Sequence, residues 1–524
     1  MGTHLQTLRI IILAKLLIGT LVAHCQPDIE WQSCFGGTMN DEAMSIAQAS
    51  DGGFIMAGHV RSSNGNVIGY HGGAADAWVV KLDSDGTIQW QRCLGGSRGD
   101  YAASVHPTVD GGYIMAGSTF SNNGDVNGYH ESEFSLSDAW VVKLSAMGMI
   151  EWQRCLGGSS EDYLQSIQEL PEGGYVAAGA SYSNNGDVTC SNGGSWVVKL
   201  NTMGDILWNH CVSLGGRANS IKCTLDGGYI LGGLTTPNNI EGGCLGLGIE
   251  PDSWVAKLDA QGEVQWQRCL GGSESDGVFD VQQTSDGGYI LSNWARSNDG
   301  DVTDNHGGQY DAWIVKLDDL GGIEWQKCFG GSGAEYAHAI QQDNDGGFLI
   351  AGATSSSDGD IVGNHGYGDV WMFKIDATGI IDWQMYIGGT MPEYAKAMQQ
   401  TMDGGYVLAG FTGSNTGDVS GNHGGDDCWV VKLGAGQVGI TGGTPYHYTI
   451  TPNPTNSTLT LGFAVNTEPR QAIILDATGR KVAAQRISAT GPVTLDLSGH
   501  ENGLYIVQIL FADATLTVER ILKE

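Results

Sequence analysis

The chain has 524 residues, 82 of them glycine, and its 58 acidic against 25 basic side chains leave a formal net charge of −33. That deficit of positive charge excludes nucleic acid as a partner, since phosphate binding needs a basic face. It fits a protein kept in solution in a cation-containing extracellular medium. The length allows two or three domains with large cores, and glycine at fixed offsets beside Trp, Tyr and Val marks turns between strands.

The N-terminus carries Arg9 and Lys15, then the apolar run LLIGTLVA at 16–23, with no acidic residue before Asp28. This pattern predicts a secretory signal peptide over 1–25, cleaved before Gln26. The alternative is a lipoprotein signal with Cys25 acylated, which His24 fits poorly. No later apolar run approaches the ~20 residues of a transmembrane helix.

From 26 to 433 one unit is copied seven times. Its Trp returns at Trp31, Trp90, Trp152, Trp208, Trp266, Trp325 and Trp383, about every 56 to 62 residues. Each copy holds four short strand candidates, among them GGYIMAG at 111–117 and the alternating DAWVVKL at 138–144. Four strands per unit, seven times over, predict an all-β, seven-bladed β-propeller. Neither end holds a full set, so the last blade should close with two strands from 29–50 and two from 404–433. The Gly/Ala-rich GGYIxAG segment is expected innermost, where the axis is crowded.

Residues repeated in every blade read first as architecture: the seven Trp as packing anchors between blades, and Asp100, Asp162, Asp276, Glu335 and Glu393 as turn caps. In layout the repeat resembles the quinoprotein-like propellers, but nothing matches their cofactor-binding residues. It is still more similar to a Gly/Trp-rich repeat of secreted Bacteroidota proteins. Cys34, Cys93, Cys155, Cys211, Cys269 and Cys328 share one place in six blades, too far apart for mutual disulfides, and read as buried thiols. Cys211 and Cys223 flank a tight turn and are a candidate pair. Cys190 and Cys244 lie in the loops of two adjacent blades that lack His and are expected to form a disulfide.

The loop before each WVVKL-type strand groups Asp and His: Asp301, His306 and Asp311; Asp360, His365 and Asp369; Asp418, His423 and Asp427. It recurs with Asp125, His130 and Asp138, and with Asn66, His71 and Asp76. Oxygen-rich clusters suit calcium, His points to a transition metal, and a set of hydrogen-bonded Asx turns is the alternative to either. Outside the repeat stand His59, Arg61 and the Asn293-Trp294-Ala295-Arg296 stretch. There, a Trp beside an Arg near a propeller mouth suits sugar stacking or an acidic group. No Ser-His-Asp order, phosphate loop, CxxC pair or HExxH motif occurs.

After the Gly/Thr linker 434–447 the repeat stops, and short alternating strands over 448–524 predict a small β-sandwich. Pro452-Asn453-Pro454, Asp476, Gly479-Arg480, Gly503-Leu504-Tyr505 and Lys523 resemble the type A C-terminal sorting domain of the type IX secretion system. The resemblance implies export by that machinery, removal of the domain by its sortase, and release or attachment at the outer-membrane surface. For the propeller the reading is a binding or adhesion module, with a glycan or surface polysaccharide as ligand. A carbohydrate-active enzyme with its site at the ring mouth and a structural surface protein are the alternatives.

Overall fold

The computed structural model describes residues 26–130, 136–189, 193–214, 216–235, 250–435, 448–451, 455, 458–463, 469–476, 480–487, 493–500, 502–511 and 516–523. The signal-peptide segment, Cys190, Cys244, Pro452, Asn453, Pro454 and Gly479 lie outside them.

Asp28–Gly434 forms one compact unit. The first strand, β1 (Ile29–Phe35), is set apart from the blade that follows it. Blade 1 is β2 (Glu42–Gln48), β3 (Phe54–Val60), β4 (Asp76–Leu82) and β5 (Ile88–Leu94), all antiparallel. Blades 2 to 6 repeat it as β6–β9 (Asp100–Leu156), β10–β13 (Asp162–Leu214), β14–β17 (Arg217–Leu270), β18–β21 (Asp276–Phe329) and β22–β25 (Glu335–Ile387). Blade 7 takes β26 (Glu393–Gln400), β27 (Tyr406–Thr412) and β28 (Asp427–Leu433) from the far end of the repeat, and β1 completes it by pairing with β28. The closure is therefore three strands plus one, not two plus two. It pairs the β28 edge that would otherwise be left open.

The first strand of each blade is innermost: consecutive first strands neighbour one another, and β26 meets β2. GGYIxAG is the second strand, contrary to the expectation. Its glycine answers a different crowding. A Cβ on Gly117 would stand 1.9 Å from the carbonyl oxygen of Tyr101 on the inner strand. The inner strand bulges there, with a register shift between Ala102 and Ser104, and only glycine lets the second strand pass it.

Packing between blades is carried by repeated side chains. Trp90 Nε1 donates to the Ala146 carbonyl of the next blade at 3.1 Å, and its ring meets Tyr113 edge-on at 5.7 Å. A second Trp per blade is fully buried on the third strand; Trp78 Nε1 donates to Gln91 Oε1 at 2.8 Å. These two series account for all of the 15 tryptophans except Trp294. At the axis a girdle of glutamines joins neighbouring inner strands. Gln400 N donates to Gln341 Oε1 at 2.9 Å, Cys223 N to Gln168 Oε1 at 3.0 Å, and across the closure Gln48 N to Gln399 Oε1 at 2.6 Å.

Cys34, Cys93, Cys155 and Cys328 are buried free thiols. Burial, then nearby carboxylates, push the first three up to about 12. Cys211 and Cys269 depart from the expectation, because both are in disulfides. Cys223 is free, so the Cys211–Cys223 pair does not form.

The second unit includes Ala435–Glu524. Its strands are β29 (Tyr448–Thr451), β30 (Thr458–Phe463), β31 (Pro469–Asp476), β32 (Lys481–Arg486), β33 (Val493–Asp496), β34 (Gly503–Phe511) and β35 (Leu516–Lys523). They form a β29-β30-β33 sheet and a β32-β31-β34-β35 sheet over one core that includes Leu459, Ile474, Leu495, Val507 and Ile521. Asp476 pairs in register with the buried Tyr505, and Gly503 with Lys523. The Lys523 ammonium donates to Asn502 Oδ1 at 2.9 Å, while Arg480 is exposed.

Candidate functional site

Residues that the repeat copies faithfully are consumed in holding the ring. Asp100 is fully buried; its carboxylate accepts from Gly96 N at 2.8 Å, Ser121 Oγ at 2.8 Å and Thr119 Oγ1. It ties the connection from blade 1 to the first strand of blade 2. Asp162, Asp276, Glu335 and Glu393 accept from the corresponding glycine amide in their own blades. All five carboxyls are raised, mainly by burial and against these hydrogen bonds.

The Asp/His loops form locks of the same kind. His306 Nδ1 lies 2.7 Å from Asp311 Oδ2, which also accepts the His306 amide at 2.8 Å. His365–Asp369 and His423–Asp427 repeat this at 2.7 and 2.6 Å, as do His71–Asp76 at 2.8 Å and His130–Asp138 at 2.9 Å. The other ring nitrogen of His306 faces Asp360 of the next blade at 3.5 Å. Asp301 does not join its own His; Asp301, Asp360 and Asp418 accept from Gly271, Gly330 and Gly388 amides at 3.3, 3.2 and 3.1 Å. Among the described residues no three His, Cys, Asp or Glu side chains gather into a metal-ligating group. In each lock one aspartate oxygen accepts the imidazole and amide protons, while the other, Asp311 Oδ1 among them, is buried with no hydrogen bond among the described residues.

The four other candidates fall into two equivalent pairs. His59 and Arg61 stand in blade 1 where Trp294 and Arg296 stand in blade 5: His59 pairs with Glu42 on its inner strand, and Trp294 with Gly277 on its own. His59 Nε2 and an Arg61 guanidinium nitrogen lie 3.8 and 3.9 Å from Glu42 Oε1. Burial, then the Arg61 charge, pull His59 down to about 4, so its imidazole is neutral at pH 7. Arg296 is exposed, with Nε 3.8 Å from a Glu274 carboxylate oxygen.

The site residues that sequence reasoning missed are on the inner strands. Every inner strand bulges once, and the seven bulged residues are Met44, Ala103, Gln165, Asn219, Phe279, His338 and Lys396. Each is partly accessible and follows a buried residue, as expected of groups aimed at an open axis. All seven differ in type, in a chain that otherwise copies its blades closely. Two residues earlier comes a rim of Glu42, Tyr101, Tyr163, Arg217, Gly277, Tyr336 and Tyr394.

Around this mouth the aromatic rings run in chains. Trp294 meets Tyr310 at 5.0 Å, Tyr310 meets Tyr336 at 5.6 Å, and Phe279 meets His338 at 4.4 Å. Tyr394 stacks on Phe411 at 5.0 Å, and His59 meets Tyr101 edge-on at 5.2 Å. A cleft of ≈ 480 Å³ opens beside Met44, His59, Tyr101, Tyr163 and Arg217. A larger cleft, ≈ 640 Å³, lies between blades at the opposite end of the strands. Its Lys81 and Asp51 are paired at 2.9 Å, an arrangement repeated by Lys257 and Asp226 at 2.8 Å, so that cleft is a furrow of the repeat.

Among curated proteins none matches the chain. Solved structures overlap it partially. A Bacteroides caccae protein of unknown function is 14% identical over 60% of this chain and 92% of that one, with a TM-score of 0.34. The Neurospora crassa Pan2 WD40 domain is 10% identical over 78% and 97%, TM-score 0.43, and Kuenenia stuttgartiensis hydrazine synthase 12% identical over 74% and 95%, TM-score 0.44. Residues 449–524 match the family described as the secretion system C-terminal sorting domain. The protein is therefore a seven-bladed β-propeller carrying a type IX sorting domain, exported by that system and secreted or attached to the cell surface.

Proposed function

We propose that the exported propeller is a glycan-binding module and that its ligand seats at the axial mouth. The observation that carries this reading is the run of partly accessible aromatic rings around the bulged inner strands, interleaved with Glu42, Arg217, His338 and Lys396. Aromatic faces take the apolar faces of sugar rings, and a few convergent polar groups orient the hydroxyls. Export supports it too, since a protein outside the cell or on its surface meets polysaccharide first. On this reading the sorting domain engages the secretion machinery and is removed by its sortase, leaving the propeller as the functional part.

The test is native affinity electrophoresis of the full-length protein through gels holding different polysaccharides, beside Trp294→Ala. Retardation by one polymer, weakened in the variant, is the expected result. Clearing of the gel would replace the module by an enzyme, and free migration in every gel would contradict the reading.

A further inference from the structure

Lys396 stands apart from the other lysines described in the propeller. Lys81, Lys257 and Lys374 are typical in holding a carboxylate oxygen at 2.9, 2.8 and 2.6 Å. The hydrogen bond described for Lys396 is to another base, His338 Nε2 of the neighbouring blade, at 3.1 Å. An ammonium can only donate, so His338 accepts there, and two of the three Lys396 donors have no partner among the described residues. The same Nζ lies 5.3 Å from the Tyr394 ring centre and 5.7 Å from that of Phe411.

Both residues are bulge residues of adjacent inner strands, so both face the axis beneath the aromatic rim. Burial, opposed by Glu42, lowers the Lys396 ammonium from its ordinary value, and burial followed by the Lys396 charge holds His338 well below its own. With its Nε2 accepting from the Lys396 ammonium, the His338 imidazole adds no second charge there. The ammonium makes no ion pair among the described residues: Glu42 acts on it only from a distance and lies 3.9 Å from Arg61, so the enclosed charge costs free energy that an incoming anion relieves. In a chain of net charge −33 this is an unusual thing to keep at the axis.

We propose that Lys396, positioned by His338, binds the carboxylate of an acidic sugar, a uronic acid residue, whose ring stacks on the aromatic rim. This deepens the glycan reading and rests on it for the sugar, while the carboxylate site rests on Lys396 alone. One ammonium matches a singly charged carboxylate, and a doubly charged phosphate would leave a charge uncompensated. The negative surface repels a polyanion at long range, so binding to an acidic polymer should strengthen as salt rises from about 10 to 150 mM, where the screening length shrinks from about 30 to about 8 Å.

The experiment compares polygalacturonate with its carboxyl-reduced form by affinity electrophoresis, and sodium glucuronate, sodium acetate and glucose by calorimetric titration. The full-length protein, Lys396→Met and Lys396→Arg are used, each checked for folding by circular dichroism. The expected result is at least a tenfold preference for the acidic polymer, lost in Lys396→Met and kept in Lys396→Arg. Retention of both polymers without preference, or a preference unchanged in Lys396→Met, overturns the inference and leaves the glycan reading standing. Acetate and glucuronate binding lost in Lys396→Met, with no polymer retained, keeps the carboxylate site and removes the glycan reading. No response to any probe overturns both.

Discussion

The indole of Trp294 lies where a side chain on Gly277 would stand: a Cβ there would be 2.8 Å from Trp294 Cε2 and 2.4 Å from Leu234 Cδ2. Blade 5 is the blade whose rim residue has no side chain, and its cross-strand partner supplies the ring instead. Trp294 is thus both a local repacking and a member of the mouth. Gly277→Ala should cost about 1–3 kcal/mol through overpacking and weaken polymer retention by displacing the indole. Trp294→Ala, at a half-buried position, should weaken retention with little loss of Tm. Thermal melts read beside affinity gels separate the two; equal loss of Tm in both variants would contradict this assignment.

Ring closure depends on Gln399, whose Oε1 accepts the Gln48 amide across the join of blades 7 and 1. Gln399→Ala leaves a partly buried N–H without its acceptor and should cost about 1–3 kcal/mol. A denaturant midpoint lowered with an unchanged slope is the expected outcome, and an unchanged midpoint would show the girdle to be dispensable.

Asp252 gives a pH prediction with a definite sign. Burial first, then the charges of Asp276 and Asp301, push its carboxyl up to about 7. One of its oxygens is buried without a hydrogen bond among the described contacts. The folded chain holds this proton more tightly than the unfolded one, so the contribution is fully present below pH ~4 and lost as pH rises through about 7. Asp138, raised to about 6 chiefly by burial, acts in the same direction. The buried, neutral His59 acts in the opposite direction, so the sign is read from the difference: on acidification from pH 8 to pH 5 the wild type should gain about 1–3 kcal/mol relative to Asp252→Asn. Melts at half-unit pH steps check it; a variant whose change with pH equals the wild type's would contradict it.

The cysteines separate by chemistry. Cys34, Cys93 and Cys155, buried and raised to about 12, should resist iodoacetamide in the native protein and react once it is unfolded. Cys211 and Cys269 should react only after reduction. Mass spectrometry of the alkylated peptides reads both groups, and alkylation of Cys211 without reductant would contradict the structure.

Much of the ring was legible in the sequence because periodicity is additive: seven Trp, seven turns and seven GGY or GGF segments all report one unit. The order of strands was not legible, because glycine and alanine suit any crowded place. Here the crowding is the bulge beside Gly117, not the axis. The Asp/His loops read as metal ligands or turns with equal ease, since which proton each carboxylate accepts depends on geometry; His306 and Asp311 close on each other, while Asp301 turns to a glycine amide. The mouth was half legible. His59, Arg61, Trp294 and Arg296 stood out by breaking the repeat, whereas Lys396 and His338 were hidden in a position that never repeats. Aligning the seven copies against one another would have exposed that position, since Met44, Ala103 and Phe279 share it.

The most direct test of the central claim, that ligand seats at the axial mouth, is tryptophan emission during titration with a retained polysaccharide, in wild type and Trp294→Phe. The other 14 tryptophans are repeated packing groups, so a mouth ligand should change the emission of the wild type and leave that of the variant nearly unchanged. An equal change in both would place the ligand elsewhere on the ring and contradict the account.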